Sequence, residues 1–177
     1  PTFYVTGNHE WVLSREKRAA LFSMLDAAGV VRLQNEYKLL ERGQFSIVLA
    51  GADDPNGPFD QKRPAQLVRE IRQARGKDAY ILMLSHRNDE LDLWANMGVQ
   101  TVLCGHGHGG IVRLPFVGAV FGTHLDLFPD YTAGLYQKGQ TSMIVSRGLG
   151  GSRKLPLRIG NRPEIVTVIL KTDSGEI

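Results

Sequence analysis

The chain has 177 residues, of which 42% are hydrophobic and 22% charged, ordinary values for a globular domain with a sizeable core. A formal net charge of +3 is too mild to demand a polyanionic partner, and no apolar run approaches the ~18 residues that a membrane span needs. The single cysteine, Cys104, excludes an internal disulfide framework and a cysteine-based zinc site.

In chain order, Thr2 to Thr6 reads as a strand that runs into the polar turn Gly7-Asn8-His9-Glu10. Ser14 is placed to cap a helix from Arg15 to Ala28, with Leu21, Leu25 and Ala28 at helical spacing and Gly29 as its stop. Val30 to Leu33 and Gln44 to Ala50 read as strands, with Tyr37 to Leu40 as a partner. Asp53-Asp54-Pro55-Asn56-Gly57-Pro58 is turn chemistry, followed by a basic-faced helix from Gln61 to Arg75. Ala79 to Leu84 is an apolar strand ending in Ser85-His86. A short helix spans Glu90 to Met97, and Val99 to Cys104 is another apolar strand. From Ile111 the pattern turns to short β segments, with Thr141 to Ser146 and Ile165 to Lys171 the clearest strands. The fold class expected is α/β with a β-rich second half.

The strand ending at Cys104 runs into Gly105-His106-Gly107-His108-Gly109-Gly110. Neutral imidazole is the commonest metal ligand, and glycines let the backbone approach a ligand closely. Four of the five histidines, His9, His86, His106 and His108, follow apolar strands; His124 does not. Ligand sites of open α/β sheets lie beyond the carboxyl ends of the strands, so these turns point to one site. Asn8 is either a ligand through its amide oxygen or plain turn chemistry, and His86 either a ligand or a histidine hydrogen-bonded behind one. Asp53 and Asp54 belong either to the cleft or to an exposed capping loop, and His124 to the surface or the cleft. Cys104 reads as a small buried hydrophobe.

Gly7-Asn8-His9-Glu10, Ser85-His86 and Gly105 to Gly110, in that order, resemble the last three signature blocks of the calcineurin-like metallophosphoesterases. Gly51-Ala52-Asp53-Asp54, Val112 to Phe116, Gly134-Leu135-Tyr136, Ser146 to Gly150, Pro156-Leu157-Arg158, Gly160 and Pro163-Glu164-Ile165 extend the resemblance to the YkuE-like subgroup. The resemblance implies two mixed β-sheets packed as a sandwich flanked by helices. It implies that Asn8, His86 and His106 bind one metal ion, that His108 binds a second, and that His9 acts as general acid or orients the phosphate. The family has two earlier blocks, Asp-x-His and Gly-Asp, which complete a dinuclear centre. Accordingly residues 1–177 are read as a single metallophosphoesterase domain lacking its N-terminal strands, the C-terminal portion of a longer protein.

The implied function is hydrolysis of phosphate esters, diesters above monoesters, by a metal-activated water. The implied cofactors are two divalent transition metal ions (Mn, Fe or Zn) in the complete protein, with at most one, and little activity, in this stretch. Imidazole-rich ligation argues against Ca or Mg alone. The competing reading is a non-catalytic protein-binding scaffold with a degenerate metal site.

No acidic residue occurs between Asp130 and Glu164, whereas Lys138, Arg147, Arg153, Lys154, Arg158 and Arg162 do. That stretch is either a solvated basic loop or a cationic rim for a phosphate-ester or phospholipid-like substrate, or for an anionic membrane surface. Arg147 and Arg113 are the candidate substrate-binding residues. Nucleic acid is disfavoured because basic residues are few and no aromatic ladder interleaves them.

Overall fold

The computed structural model describes residues 1–151, 157–172 and 175–176. Arg153, Lys154 and Pro156 of the basic stretch lie outside the described residues. The centre is a six-stranded mixed sheet in the order β3-β4-β5-β6-β10-β9. Its inner strands β4 (Phe45–Gly51), β5 (Ile81–Leu84), β6 (Thr101–Cys104) and β10 (Thr141–Val145) run parallel; β3 (Glu36–Arg42) and β9 (Gly134–Lys138) pair antiparallel at the edges.

Period-two alternation divides the inner strands between two cores. Val48, Ala50, Ile81, Met83, Val102, Cys104, Met143 and Val145 face the helices α3 (Pro64–Arg75) and α4 (Leu91–Asn96), where they bury Leu67, Val68, Ile71, Leu91 and Trp94. Burying each large side chain contributes roughly 1.5–3 kcal/mol, which makes this face the main source of stability. Leu49 and Leu82 face the other way and pack with Leu33, Phe3, Val5 and Val31. Those residues come from the parallel pair β1 (Thr2–Tyr4) and β2 (Val30–Arg32), joined by α1 (Asn8–Trp11) and α2 (Arg15–Ala27), and from the turns that follow the two strands. The arrangement is consistent with the metallophosphoesterase fold, the second layer being contributed by this pair. Two small antiparallel pairs complete the described chain: β7 (Val112–Leu114) with β8 (Gly118–Phe121), and β11 (Lys171–Thr172) with β12 (Gly175–Glu176).

Local chemistry sets the boundaries. The Ser14 hydroxyl accepts the Lys17 N–H and caps α2, and Gly29 at φ +74° ends it. Helix α3 starts at Pro64 rather than Gln61. Proline suits the first helical position, and the Gln66 side chain accepts the Arg63 N–H. Two expectations are corrected. Gly7-Asn8-His9-Glu10 is not an open turn: Asn8 begins the one-turn helix α1, because the Glu10 carboxylate reaches back to the Gly7 N–H at 2.6 Å. Ile165 to Lys171 is no strand; only Lys171 enters a ladder, at the start of β11. Its β-branched residues suit a pleated surface, but among the described residues no strand pairs with Ile165 to Leu170. Among the described residues, no helix is long and apolar enough to cross a membrane.

Candidate metal centre

The carboxyl ends of the parallel strands bring the predicted residues together. Asp53 and Asp54 follow β4, His86 and Arg87 follow β5, and His106 follows β6. Asn8 arrives from the second layer at the start of α1. The ladder continues past β6 into this region: Ser85 N–H donates to Leu103 O, and Gly105 N–H donates to His86 O. The two imidazoles are thereby held side by side, with ring centroids 4.7 Å apart.

Three side chains converge on one point. His86 Nε2 lies 2.9 Å from Asn8 Oδ1 and 2.9 Å from His106 Nδ1. Glycine makes room for this: a Cβ on Gly7 would stand 2.8 Å from the His86 ring. His106 itself sits at φ +62°, a region that a bulky side chain seldom adopts. Burial is the leading cause that lowers both imidazole pKa values. At His106 the neighbouring His86, Arg87 and His124 add to it and bring the value to about 4. Both rings are therefore neutral at physiological pH, the state a metal ligand requires.

The proton inventory shows what this cluster lacks. His106 Nε2 lies 3.2 Å from Arg87 Nη1, and a guanidinium only donates. That contact asks His106 Nε2 to accept and its Nδ1 to carry the proton. Nδ1–H then donates to His86 Nε2, whose lone pair is left facing the Asn8 amide oxygen. The opposite tautomers satisfy Asn8 but turn His106 Nε2–H against the Arg87 N–H. No neutral pattern with this amide orientation satisfies all three contacts. A cation shared by Asn8 Oδ1, His86 Nε2 and His106 Nδ1 removes the conflict among those three atoms. Two neutral imidazoles and an amide oxygen fit Zn, Fe or Mn. The set is incomplete: among the described residues no group of three or more His, Cys, Asp or Glu side chains lies close enough to hold a metal ion.

Other predicted residues stand beside this cluster. His108, at φ +52°, has its Nδ1 3.3 Å from Gly150 O, and burial is the first cause lowering its pKa. His9 is exposed. His124 is exposed too, with its ring 5.3 Å from that of His106, a cleft position. Arg113 donates to Gly109 O and to the Thr132 hydroxyl, tying the glycine turn to the β-rich half. Arg147 pairs with Glu164 at 2.6 Å. Cys104 is buried, its thiol pushed up to about 12 chiefly by burial, which leaves it an inert core residue.

Of the two readings open for Asp53 and Asp54, the structure selects the cleft: both are buried. Asp53 accepts from the Thr6 hydroxyl at 2.6 Å and from the Asn35 amide, joining the two layers. Asp54 accepts a two-pronged bond from Arg87 Nε at 2.7 Å and Nη2 at 3.0 Å. Burial alone would push the Asp54 carboxyl up. The Arg87 fork and the Asn56 N–H outweigh it and hold the group below the usual carboxylate range. Arg87 escapes the sequence reading because its partner lies 33 residues away. The available signal is an arginine directly after a candidate ligand, at the end of a strand next to the one that delivers Asp54.

No family model matches the chain, and no solved structure matches it. Among curated proteins it is 29% identical over 170 residues to the phosphodiesterase YaeI of Escherichia coli, covering 96% of this chain and 58% of that protein. It is 31% identical over 171 residues to the uncharacterized metallophosphoesterase YkuE of Bacillus subtilis, covering 95% of this chain and 55% of the relative. An uncharacterized metallophosphoesterase of Aquifex aeolicus is 31% identical over 170 residues, with 96% of this chain and 60% of the relative covered. The chain thus spans well under two thirds of the length of these relatives.

Proposed function

This chain is similar to metallophosphoesterases over nearly its whole length, and from that premise we propose that it carries metal-binding residues of a phosphodiester hydrolase. Asn8, His86 and His106 hold one divalent transition metal ion (Mn, Fe or Zn), and His108 contributes to a second in a dinuclear site. The observation that carries this reading is the convergence of Asn8 Oδ1 and His106 Nδ1 on His86 Nε2, each at 2.9 Å. The preference for diesters is supported by the name of the Escherichia coli relative.

Bound metal supplies Lewis acidity, neutralising charge on the phosphoryl oxygens and strengthening the acidity of water. The chain's own side chains do the rest. His86 and His106, kept neutral by burial, present lone pairs rather than positive charge. Gly7 lets helix α1 pack against the His86 ring and so fixes Asn8 beside it. His9, exposed at the rim, is free to hand its proton to the departing alkoxide oxygen.

The test is hydrolysis of a bis-aryl phosphate by the intact gene product with added Mn. His106→Ala is expected to cost about 100-fold or more, since even residues that only support a ligand cost 10–100-fold. Turnover equal in His106→Ala and wild type contradicts the reading. Tightly retained metal without any turnover favours a non-catalytic scaffold.

A further inference from the structure

Arg87 has a role that the three-atom cluster does not use. Its guanidinium presents five donors, and Nε and Nη2 are committed to Asp54, whose side chain is 0% exposed. A bidentate pair of this kind fixes the plane of the guanidinium, so Nη1 is aimed rather than loose. Nη1 is aimed at His106 Nε2, 3.2 Å away, and the Arg87 side chain keeps 21% of its surface open. Arginine in this state is an anchored cation with one edge turned to a neutral imidazole and partly open to solvent, at the carboxyl ends of β5 and β6 where a substrate would lie.

That edge has an acceptor only under one condition. While His106 Nε2 is unprotonated, it can accept from Arg87. Once His106 Nδ1 is taken by a cation, the proton of the neutral ring must reside on Nε2, and the Arg87 N–H loses its acceptor. An anionic oxygen is the partner that satisfies a guanidinium best.

We propose that Arg87, held rigid by Asp54, is a phosphate-binding residue whose Nη1 donates to a phosphoryl oxygen of the substrate, and that cation binding at His106 frees it to do so. The inference rests on the metal-dependent phosphoesterase reading and deepens it. It adds a specific anion subsite and a reason for metal and phosphate to bind with positive coupling. Asp54 acts through Arg87 and is a positioning residue.

The probe is inorganic phosphate, titrated by calorimetry into the zinc-loaded intact gene product, with zinc content measured by elemental analysis. A hydrogen bond to a charged group is worth about 1.5–3 kcal/mol, so Arg87→Gln is expected to weaken phosphate binding by roughly 10–100-fold with zinc content unchanged. Arg87→Lys keeps the charge but not the fork on Asp54. It is expected to lose about tenfold in phosphate affinity and to melt below wild type while remaining folded at the assay temperature, and serves if the glutamine variant does not fold. Phosphate affinity within twofold of wild type in a folded, zinc-loaded variant overturns the assignment. If wild type hydrolyses a diester and that equality is found, only the Arg87 assignment falls. If the contrast is found without hydrolysis, the anion subsite stands and the hydrolase reading falls. A wild type that takes up neither zinc nor phosphate overturns both.

Discussion

His106 and His108 occupy left-handed backbone at φ +62° and +52° on either side of Gly107. Non-glycine residues held there carry a cost of order 1–3 kcal/mol and persist where the surroundings require them. The imidazoles also make the chain acid-sensitive. Burial lowers the folded pKa of His106 from 6.5 to about 4, and shifts His86 and His108 in the same direction. Between those values the unfolded chain binds more protons than the folded one, so stability is full above about pH 6.5 and falls as the pH drops toward 4. Chelator-treated protein is thus expected to lose urea stability from pH 7 to pH 5, and His106→Gln to lose less; identical profiles contradict the assigned burial. The histidines were legible because His-x-His among glycines is a pattern written in consecutive residues. The partnership of Arg87 with Asp54 was not, because an arginine in a polar loop has the same local signature whether it is solvated or clamped to a buried carboxylate.

At the level of elements, local rules worked where local chemistry decides. Helix α2 begins at its expected serine cap, and Ser14→Ala is expected to cost about 1 kcal/mol in denaturant unfolding. Helix α4 is held by Trp94, which is fully buried against the sheet. Trp94→Ala is expected to cost about 3–5 kcal/mol, measured the same way, and a loss below 1 kcal/mol would show that the helix face is not anchored there. Local rules failed where the outcome depends on partners. Gly7 to Glu10 has turn composition, yet one carboxylate closing on one backbone N–H makes it helical. Ile165 to Leu170 has strand composition, yet a strand exists only as half of a ladder, and the described residues supply no other half.

At the level of the whole molecule, the two faces of the sheet are unequally covered. One face is sealed by α3 and α4. Beside β1 and β2, the other carries a cleft of about 700 Å³ lined by Ile47, Tyr80, Leu135, Ile144, Val166 and Val168. Ile165 and Ile169 flank it at 82% and 64% exposure. An apolar patch of this kind promotes association, so the 177-residue chain is expected to self-associate at micromolar concentration, and Ile169→Lys to reduce this in sedimentation. The parallel order of β4, β5, β6 and β10 was foreshadowed by four apolar runs separated by helices or long connections. The pairing of β3 with β4 was foreshadowed too, since Tyr37 to Leu40 reads as a partner of Gln44 to Ala50; the place of β9 at the far edge was not, because nothing local in a short run names its neighbour. What that order achieves is to deliver His86 and His106 from adjacent strands to Asn8 from the second layer. The most direct measurement is an anomalous-difference map from crystals of the intact gene product grown with zinc. A peak about 2.1 Å from Asn8 Oδ1, His86 Nε2 and His106 Nδ1 is expected; zinc sites that exclude His86 and His106, in well-ordered crystals, would contradict the account.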